Sequence, residues 1–246
     1  MLAGITFALM MRQDALKIED VKVGVGPAVK AYDVVEVHYV GTLMDGKEFD
    51  SSLKNNKTFR FQVGVGKVIK GWDDGVAGMK VGGERNLTIP PALAYGDRAM
   101  GDLIPANSTL KFNVKLIRIV PAAKVEILTP GKGDSLKSGE ILECKLSVKL
   151  PDGKEIAKPD EVSKLAFNPV WIPGLNQAIA GIKAGEKRKV VIGYELAFGE
   201  KGSPPSDTEK AKAGSIVPPK SDITVVIEAL KITLPKPDDN VPPKGL

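Results

Sequence analysis

One cysteine and one histidine stand among the 246 residues. A single Cys144 excludes an internal disulfide framework, and one cysteine with one histidine cannot assemble the usual zinc ligand sets. Cys144 lies in the strand-like run ILECKLSVKL, where a small core side chain is expected rather than a nucleophile. Calcium or magnesium held by carboxylates needs neither residue, but no EF-hand loop spacing occurs. Charge of one sign is also scarce: 35 basic residues face 30 acidic ones, for a net charge of +5. Of these, 16 basic and 13 acidic residues precede Pro121, and 19 and 17 follow it. A surface built for nucleic acid gathers its basic residues on one face; here they are spread, no aromatics interleave with a basic run, and no nucleic-acid partner is expected.

Long hydrophobic runs are missing as well. The N-terminal MLAGITFALMM falls far short of the ~20 residues of a spanning helix and lacks the basic start of a secretory signal. Three readings of it stay open: a clipped signal remnant, a short packing helix, or a disordered start. No membrane partner is expected. The compartment stays open between the cytoplasm, which is favoured, and export if the segment is a truncated signal. The C-terminal LPKPDDNVPPKGL is proline-rich and polar, and reads as a flexible tail.

Hydrophobic residues make up 43% of the chain, enough for real cores. In VIKGWDDGVAGMKVGGER, residues 68–85, a short helix is expected from about Trp72 to Met79. Gly71 would precede it, and Asp73 and Asp74 would occupy the first turn, where the macrodipole favours anions. Trp72, Val76 and Met79 fall on one apolar face. Two turns do not persist alone in water, so tertiary packing must hold this piece.

The pattern returns. Aligned at an offset of 103 residues, Gly71, Ala77, Gly78, Lys80, Gly82, Arg85 and Ile89 match Gly174, Ala180, Gly181, Lys183, Gly185, Arg188 and Ile192. LAYGD at 93–97 recurs as LAFGE at 196–200, and LMDGKEF at 43–49 as LPDGKEI at 150–156. The chain is a tandem duplication with its boundary near Pro121–Lys124, each copy large enough for its own core. Four segments are expected: an extension at 1–15, units at 16–121 and 122–234, and a tail at 235–246.

Within each unit most segments alternate as strands do. Val35, Val37 and Tyr39 share a face opposite Glu36 and His38; Phe59, Phe61 and Val63 alternate with Arg60 and Gln62; Leu110, Phe112, Val114 and Leu116 alternate with Lys111, Asn113 and Lys115. These are half-buried antiparallel strands, with Asp-Gly turns at 45–46 and 152–153. One short helix on such a sheet is an α+β unit, and Trp72 belongs under the concave face, as the floor of a pocket.

Some chemical motifs fail on inspection. GVGK at 64–67 lacks the spacing and the Ser or Thr of a phosphate loop, and the Gly-x-Gly pairs lack a strand–turn–helix context. His38 has no serine or cysteine placed beside it by the sequence, and a structural hydrogen bond is expected of it. Asn56, Asn86 and Asn107 begin glycosylation-like triplets that are common by chance. What remains is aromatic: Tyr39, Phe49, Phe59, Phe61, Trp72, Tyr95 and Phe112, with Val68, Ile69 and Ile104. Asp50 follows Phe49 in KEFDSS, and the aromatics concentrate in the first copy. A plain core would be needed equally by both.

VHYVGTLMDGKEFDSS, VGVGKVIKGWDDGVAGMKVGGER and IPPALAYGD…LIPANSTLKFNVKL closely resemble the FKBP-type peptidyl-prolyl isomerases, the immunophilins that bind tacrolimus and rapamycin. The resemblance covers nearly all of 18–120. It implies an α+β fold of two tandem FKBP-like domains, each a twisted antiparallel β-sheet wrapped around one short α-helix. It also implies acceleration of X–Pro bond rotation in folding proteins, with no cofactor and no metal. Tyr39, Phe49, Asp50, Trp72, Tyr95 and Phe112 would be the catalytic set, and Phe59, Val68, Ile69 and Ile104 would bind substrate. Trp72 would form the floor and Phe49, Phe59 and Phe112 the walls, while the Ile69 N–H and Tyr95 hydroxyl would hold ligand carbonyls. Partners implied are proline-containing peptides or folding proteins, and tacrolimus- or rapamycin-type macrolides. Asn55 stands where the family often has a basic residue, removing a partner for Asp50, and Met100 marks a loop that shifts substrate preference.

The second copy matches the framework but not the site. Tyr39 becomes Leu146, Phe49 Ile156, Asp50 Ala157, Trp72 Leu175, Tyr95 Phe198 and Phe112 Val225. The expectation is a shrunken or closed pocket in a degenerate, non-catalytic domain that aids client or partner binding. Trp171, in FNPVWIPGL, would pack into the vacated space or serve as a contact on a binding face. The alternative for the whole chain is a non-catalytic chaperone or scaffold. A monomer is expected.

Overall fold

The computed structural model describes residues 15–168, 170–203 and 217–236. Residues 1–14, 204–216 and 237–246 lie outside the described residues, and with them the three readings of the N-terminus and the expectation of a flexible C-terminal tail. The chain divides between Ile119 and Val120 into two units.

The first unit contains β1 (Lys17–Lys22), β2 (Val25–Ala28), β3 (Val34–Leu43), β4 (Glu48–Ser51), β5 (Phe59–Gln62), α1 (Lys70–Val76), β6 (Lys80–Val81), β7 (Glu84–Ile89) and β8 (Leu110–Ile119). Its main sheet runs β1-β7-β8-β3-β4, with β5 also on β3, and β2 pairs β6. The second unit contains β9 (Lys124–Thr129), β10 (Lys132–Ser135), β11 (Ile141–Lys149), β12 (Glu155–Ala157), β13 (Val162–Leu165), α2 (Pro173–Ile179), β14 (Lys183–Ala184), β15 (Lys187–Ile192) and β16 (Ile223–Thr233). Its sheet repeats the order as β12-β11-β16-β15-β9, with β13 on β11 and β10 on β14. Every pairing is antiparallel. Each unit is a mostly antiparallel sheet with one short α-helix, the α+β arrangement expected. No helix among the described residues is long and apolar enough to cross a membrane.

Alternation produces the sheet's two faces. On β8, Leu110, Phe112, Val114 and Leu116 are buried while Lys111 and Lys115 are exposed, as a strand with one wet face requires. The helix begins and ends earlier than the sequence suggests, at Lys70 and Val76 rather than Trp72 and Met79. Gly71 and Gly75 lie inside it because the backbone rests directly on β7. A Cβ on Gly71 would stand 2.4 Å from Ile89 Cγ2, and one on Gly75 would stand 2.7 Å from Leu87 Cδ2. Gly174 meets Ile192 in the same way at 2.1 Å in the second unit.

The helix stops where an arginine takes its carbonyls. Arg85, 8% exposed, donates from one guanidinium nitrogen to Gly75 O at 2.8 Å and Ala77 O at 3.0 Å. Arg188 does the same to Ala178 O and Ala180 O, both at 3.0 Å. The matched arginines therefore satisfy the orphan carbonyls of a helix end. Their carboxylate partners differ: Asp20 on β1 receives Arg85 at 2.7 Å, whereas Glu186, two residues away on the same segment, receives Arg188.

Candidate functional site

Trp72 enters from the first turn of α1 and is 3% exposed. Four rings surround it: Tyr39 of β3 at 5.1 Å and 87°, Phe112 of β8 at 5.2 Å and 90°, and Phe61 and Phe59 of β5 at 5.4 Å and 63° and at 5.8 Å and 82°. Phe49 of β4 packs edge-on against Phe112 at 5.5 Å. Edge-to-face pairs follow the ring quadrupoles and are worth ~0.5–1.5 kcal/mol each beyond their buried area. Val68, Ile69 and Tyr95 are partly buried against the same cluster, and Ile104 lies within it. Met100 holds Ile104 by a two-way backbone bridge of 2.8 and 3.3 Å.

The polar groups sit at the edge of this ring set. The Tyr39 hydroxyl donates to Asp50 Oδ2 at 2.5 Å. Burial, and then the hydrogen bond to Asp50, push the Tyr39 hydroxyl pKa well above its usual value. Tyr95 is shifted the same way, by burial and then by the charge of Asp50. Its hydroxyl has no hydrogen-bond partner among the described residues, and neither has the Ile69 N–H, at φ −56° and ψ 145°. Two unpaired donors thus accompany an apolar ring set. Asn55 removes one basic neighbour of Asp50, but Lys54 supplies another cation. It pairs with Glu48 at 2.9 Å, and its raised pKa owes most to Glu48 and a lesser part to Asp50.

All ten residues singled out in the sequence are assembled here. Phe61, named with these aromatics in the sequence, is buried and stacks on Phe59 at 5.6 Å and 22°. One further residue shapes the site. Gly41 on β3 supplies room: a Cβ there would stand 2.8 Å from the Phe49 ring and 2.9 Å from the Phe112 ring. The signal for Gly41 was in the repeat, since the second copy has Val148 at that position.

The rejected motifs acquire structural reasons. The Gly64 and Gly66 amides donate to the Asp73 carboxylate at 2.8 and 3.0 Å, so GVGK wraps an anion of the chain itself. His38 corrects the expectation that no serine lies beside it, because Nδ1 is 3.1 Å from Ser52 Oγ. That hydroxyl also accepts the Tyr39 N–H at 2.9 Å, which makes the pair a brace between β3 and the segment after β4 rather than a nucleophile and base.

The model of the FKBP-type peptidyl-prolyl cis-trans isomerase family matches residues 26–117 and again 133–229. The chain belongs to the FKBP-type peptidyl-prolyl cis-trans isomerase family. FK506-binding protein 4 of Aspergillus fumigatus is 58% identical over 104 residues, covering 42% of this chain and 21% of that protein. Peptidyl-prolyl cis-trans isomerase FKBP10 of Mus musculus is 34% identical over 205 residues, covering 78% of this chain and 35% of its own length. FK506-binding protein 1A of Neurospora crassa is 50% identical over 114 residues, 46% of this chain and 95% of that protein. The chain thus spans only about a fifth to a third of the first two relatives.

In the second FKBP unit the register confirms the replacements. Leu146 pairs with Ile227 as Tyr39 pairs with Val114, and Val190 with Val225 as Leu87 with Phe112. Of the two alternatives, shrunken or closed, the structure removes the closed one. A pocket of about 340 Å³ remains, lined by Leu146, Ile156, Ala157, Leu175, Phe198 and Val225 together with Val148, Trp171, Ile172 and Ile223. Val148, at the register position of Gly41, lines it. Trp171 stands at the position of Val68, half-buried on the pocket wall, instead of filling the floor. Ser163 occupies the register position of Phe59, which removes a wall ring.

Proposed function

We propose that the first unit, residues 16–121, catalyses cis–trans rotation about X–Pro bonds in folding proteins. The second unit, residues 122–234, binds client or partner segments without turning them over. The observation that carries this reading is the Trp72 ring set with two unpaired donors, Ile69 N–H and Tyr95 hydroxyl, beside it. Family membership and the isomerase name of the mouse relative support the reaction class.

The chemistry needs no nucleophile. Rotation about X–Pro opposes amide resonance, and spontaneous exchange takes ~10–100 s. The twisted amide loses that resonance and carries less charge on its carbonyl oxygen. An apolar, water-poor enclosure therefore favours the twisted state over the polar planar one, and each ~1.4 kcal/mol of that preference is a tenfold gain in rate. In this reading the proline ring rests over Trp72 between Phe49, Phe59 and Phe112, with Val68 and Ile104 closing the sides. Ile69 N–H and Tyr95 hold the flanking carbonyls. Asp50, fixed by Tyr39, acts by electrostatics and position, and no step moves a proton. Tacrolimus- and rapamycin-type macrolides are ligands of the same pocket, supported by the FK506-binding names of the relatives.

Exchange NMR on a short X–Pro peptide tests this, with the full chain and with Tyr95→Phe. Sub-stoichiometric wild-type chain is expected to produce cis–trans exchange peaks absent from the free peptide, and Tyr95→Phe to weaken peptide binding several-fold. Binding without exchange would instead identify a non-catalytic chaperone or scaffold.

A further inference from the structure

We infer that Asp73 is a positioning residue of the first site: its carboxylate clamps the loop before α1 and so sets Val68 and the Ile69 N–H for the substrate. The inference rests on the reading above that these two groups meet a proline peptide. Asp73 follows Trp72 in α1 and is half-buried. Its two oxygens are divided between two amides of the loop: Gly64 donates to Oδ1 at 2.8 Å and Gly66 to Oδ2 at 3.0 Å. Both glycines have positive φ, 80° and 71°, a backbone that glycine adopts freely and that brings both N–H groups onto one carboxylate. The Asp73 backbone closes the other end, donating its N–H to Ile69 O at 3.3 Å. One residue thus ties down both ends of segment 64–69, which carries Val68 and Ile69.

Burial raises the pKa of the Asp73 carboxyl and the two glycine amides lower it, with Asp74 and Lys70 the nearby charges. The amides therefore replace water that burial takes from the carboxylate, and hydrogen bonds to an ionised group are roughly twice as strong as neutral ones. The second copy keeps the device with different chemistry. Asn176 stands at the matching position, and its Oδ1 accepts the Asn168 N–H at 3.0 Å while its Nδ2 donates to Asn168 O at 2.8 Å. A backbone that offers one donor and one acceptor meets an amide there; a backbone that offers two donors meets a carboxylate in the first unit. The side chain follows the loop it holds, as a clamp requires. Helix propensity does not account for this, since Asp and Asn are near-equal in it.

The test uses ¹⁵N-labelled full chain as wild type, Asp73→Asn and Asp74→Asn, with acetyl-Ala-Ala-Pro-Ala-amide as the probe. Asp73→Asn trades one acceptor oxygen for a donor that faces a glycine N–H. Asp74→Asn removes the same charge one residue on, where the carboxylate pairs only at the surface with Lys70 at 2.7 Å. Asp73→Asn is expected to move the Gly64, Gly66 and Ile69 amide signals and to weaken peptide binding about fivefold, or ~1 kcal/mol. The cis–trans exchange rate of bound peptide should stay within about twofold, because ground state and transition state lose the same contacts. Asp74→Asn should match wild type in every readout. In the wild type itself the Gly64 and Gly66 amides should be protected from hydrogen exchange, and exchange at the unprotected rate would overturn the clamp whatever the variants do. Unchanged affinity in Asp73→Asn, or equal weakening in Asp74→Asn, would overturn the positioning role. Wild-type binding without exchange would overturn the reaction assigned to the first unit and leave the affinities to decide the clamp. No binding by the wild type would overturn both.

Discussion

Gly41 controls how much ring the first site can hold. Its missing Cβ leaves the gap into which Phe49 and Phe112 project, at 2.8 and 2.9 Å from where that atom would be. Gly41→Val imports the residue of the second copy without the smaller Ile156 and Val225 that accompany it there. Overpacking of this kind costs ~1–3 kcal/mol. Chemical denaturation should show a loss of that order, and peptide exchange should fall with it.

The two site tyrosines give a pH prediction. Both hydroxyl pKa values are raised, by burial first, so the neutral donors persist in the folded protein beyond the ordinary value of 10.0. The isomerisation rate should therefore stay level from neutral pH to about pH 10, measured at fixed temperature. Above that value the unfolded chain ionises before the folded one, so stability falls as pH rises. Tyr39→Phe should flatten part of that alkaline fall in denaturation profiles. The six aromatics of the candidate site stand out because aromatics crowd one copy and not the other, whereas the set as a whole, with Asp50, Val68, Ile69 and Ile104, came from the family resemblance. Gly41 was not legible alone, because a residue that contributes empty space has no chemistry to notice; only its replacement by Val148 exposes it.

At the scale of the element, the arginine behind each helix is the joint between helix and sheet. The matched pair was visible in the repeat, but its carboxylates were not, because one comes from β1 and the other from the turn before β15. The difference has consequences. Arg188 and Glu186 are both almost wholly buried, with side chains 5% and 4% exposed, whereas Asp20 is 43% exposed. Arg188→Met leaves a buried carboxylate uncompensated, a loss of ~3–5 kcal/mol. Arg85→Met leaves two helix carbonyls unpaired but lets Asp20 turn to water, a loss nearer ~1–3 kcal/mol. Thermal unfolding of the full-length variants should rank them in that order.

Arg85 also holds the Asp20 carboxyl below its usual range, chiefly by hydrogen bonding. That contribution is complete above the ordinary carboxylate value of 3.8 and disappears as pH falls through the lower folded value. Asp20→Asn should remove this part of the acid dependence. The helix start was placed two residues late because Gly71 reads as a stop by propensity, whereas it lies inside the helix with Ile89 against its backbone. The end was placed three residues late because the apolar spacing runs on to Met79, which is buried beyond the last turn.

At the scale of the whole molecule, two copies of one topology have diverged at the concave face while keeping the strand order, the helix and its arginine. That much followed from the offsets between matched segments, since strand alternation and turn glycines are local signals. The survival of the second pocket did not follow, because each aromatic-to-aliphatic change suggests closure when read singly. Only the register of β11, β13 and β16, with Trp171 at the wall, shows that the space was reshaped. On the proposed function the two tryptophans are unequal, with Trp72 in the proposed catalytic pocket and Trp171 lining the pocket of the second unit.

The most direct test compares kcat/KM for an X–Pro peptide in the wild-type chain, Trp72→Leu and Trp171→Leu, with circular dichroism verifying the fold of each. Trp72→Leu reproduces the residue at Leu175 and should lower kcat/KM at least tenfold, about 1.4 kcal/mol of transition-state stabilisation. Trp171→Leu should leave the first site's rate on a short peptide within twofold of wild type. Full activity in Trp72→Leu, or its loss in Trp171→Leu, would contradict the assignment of catalysis to the first unit.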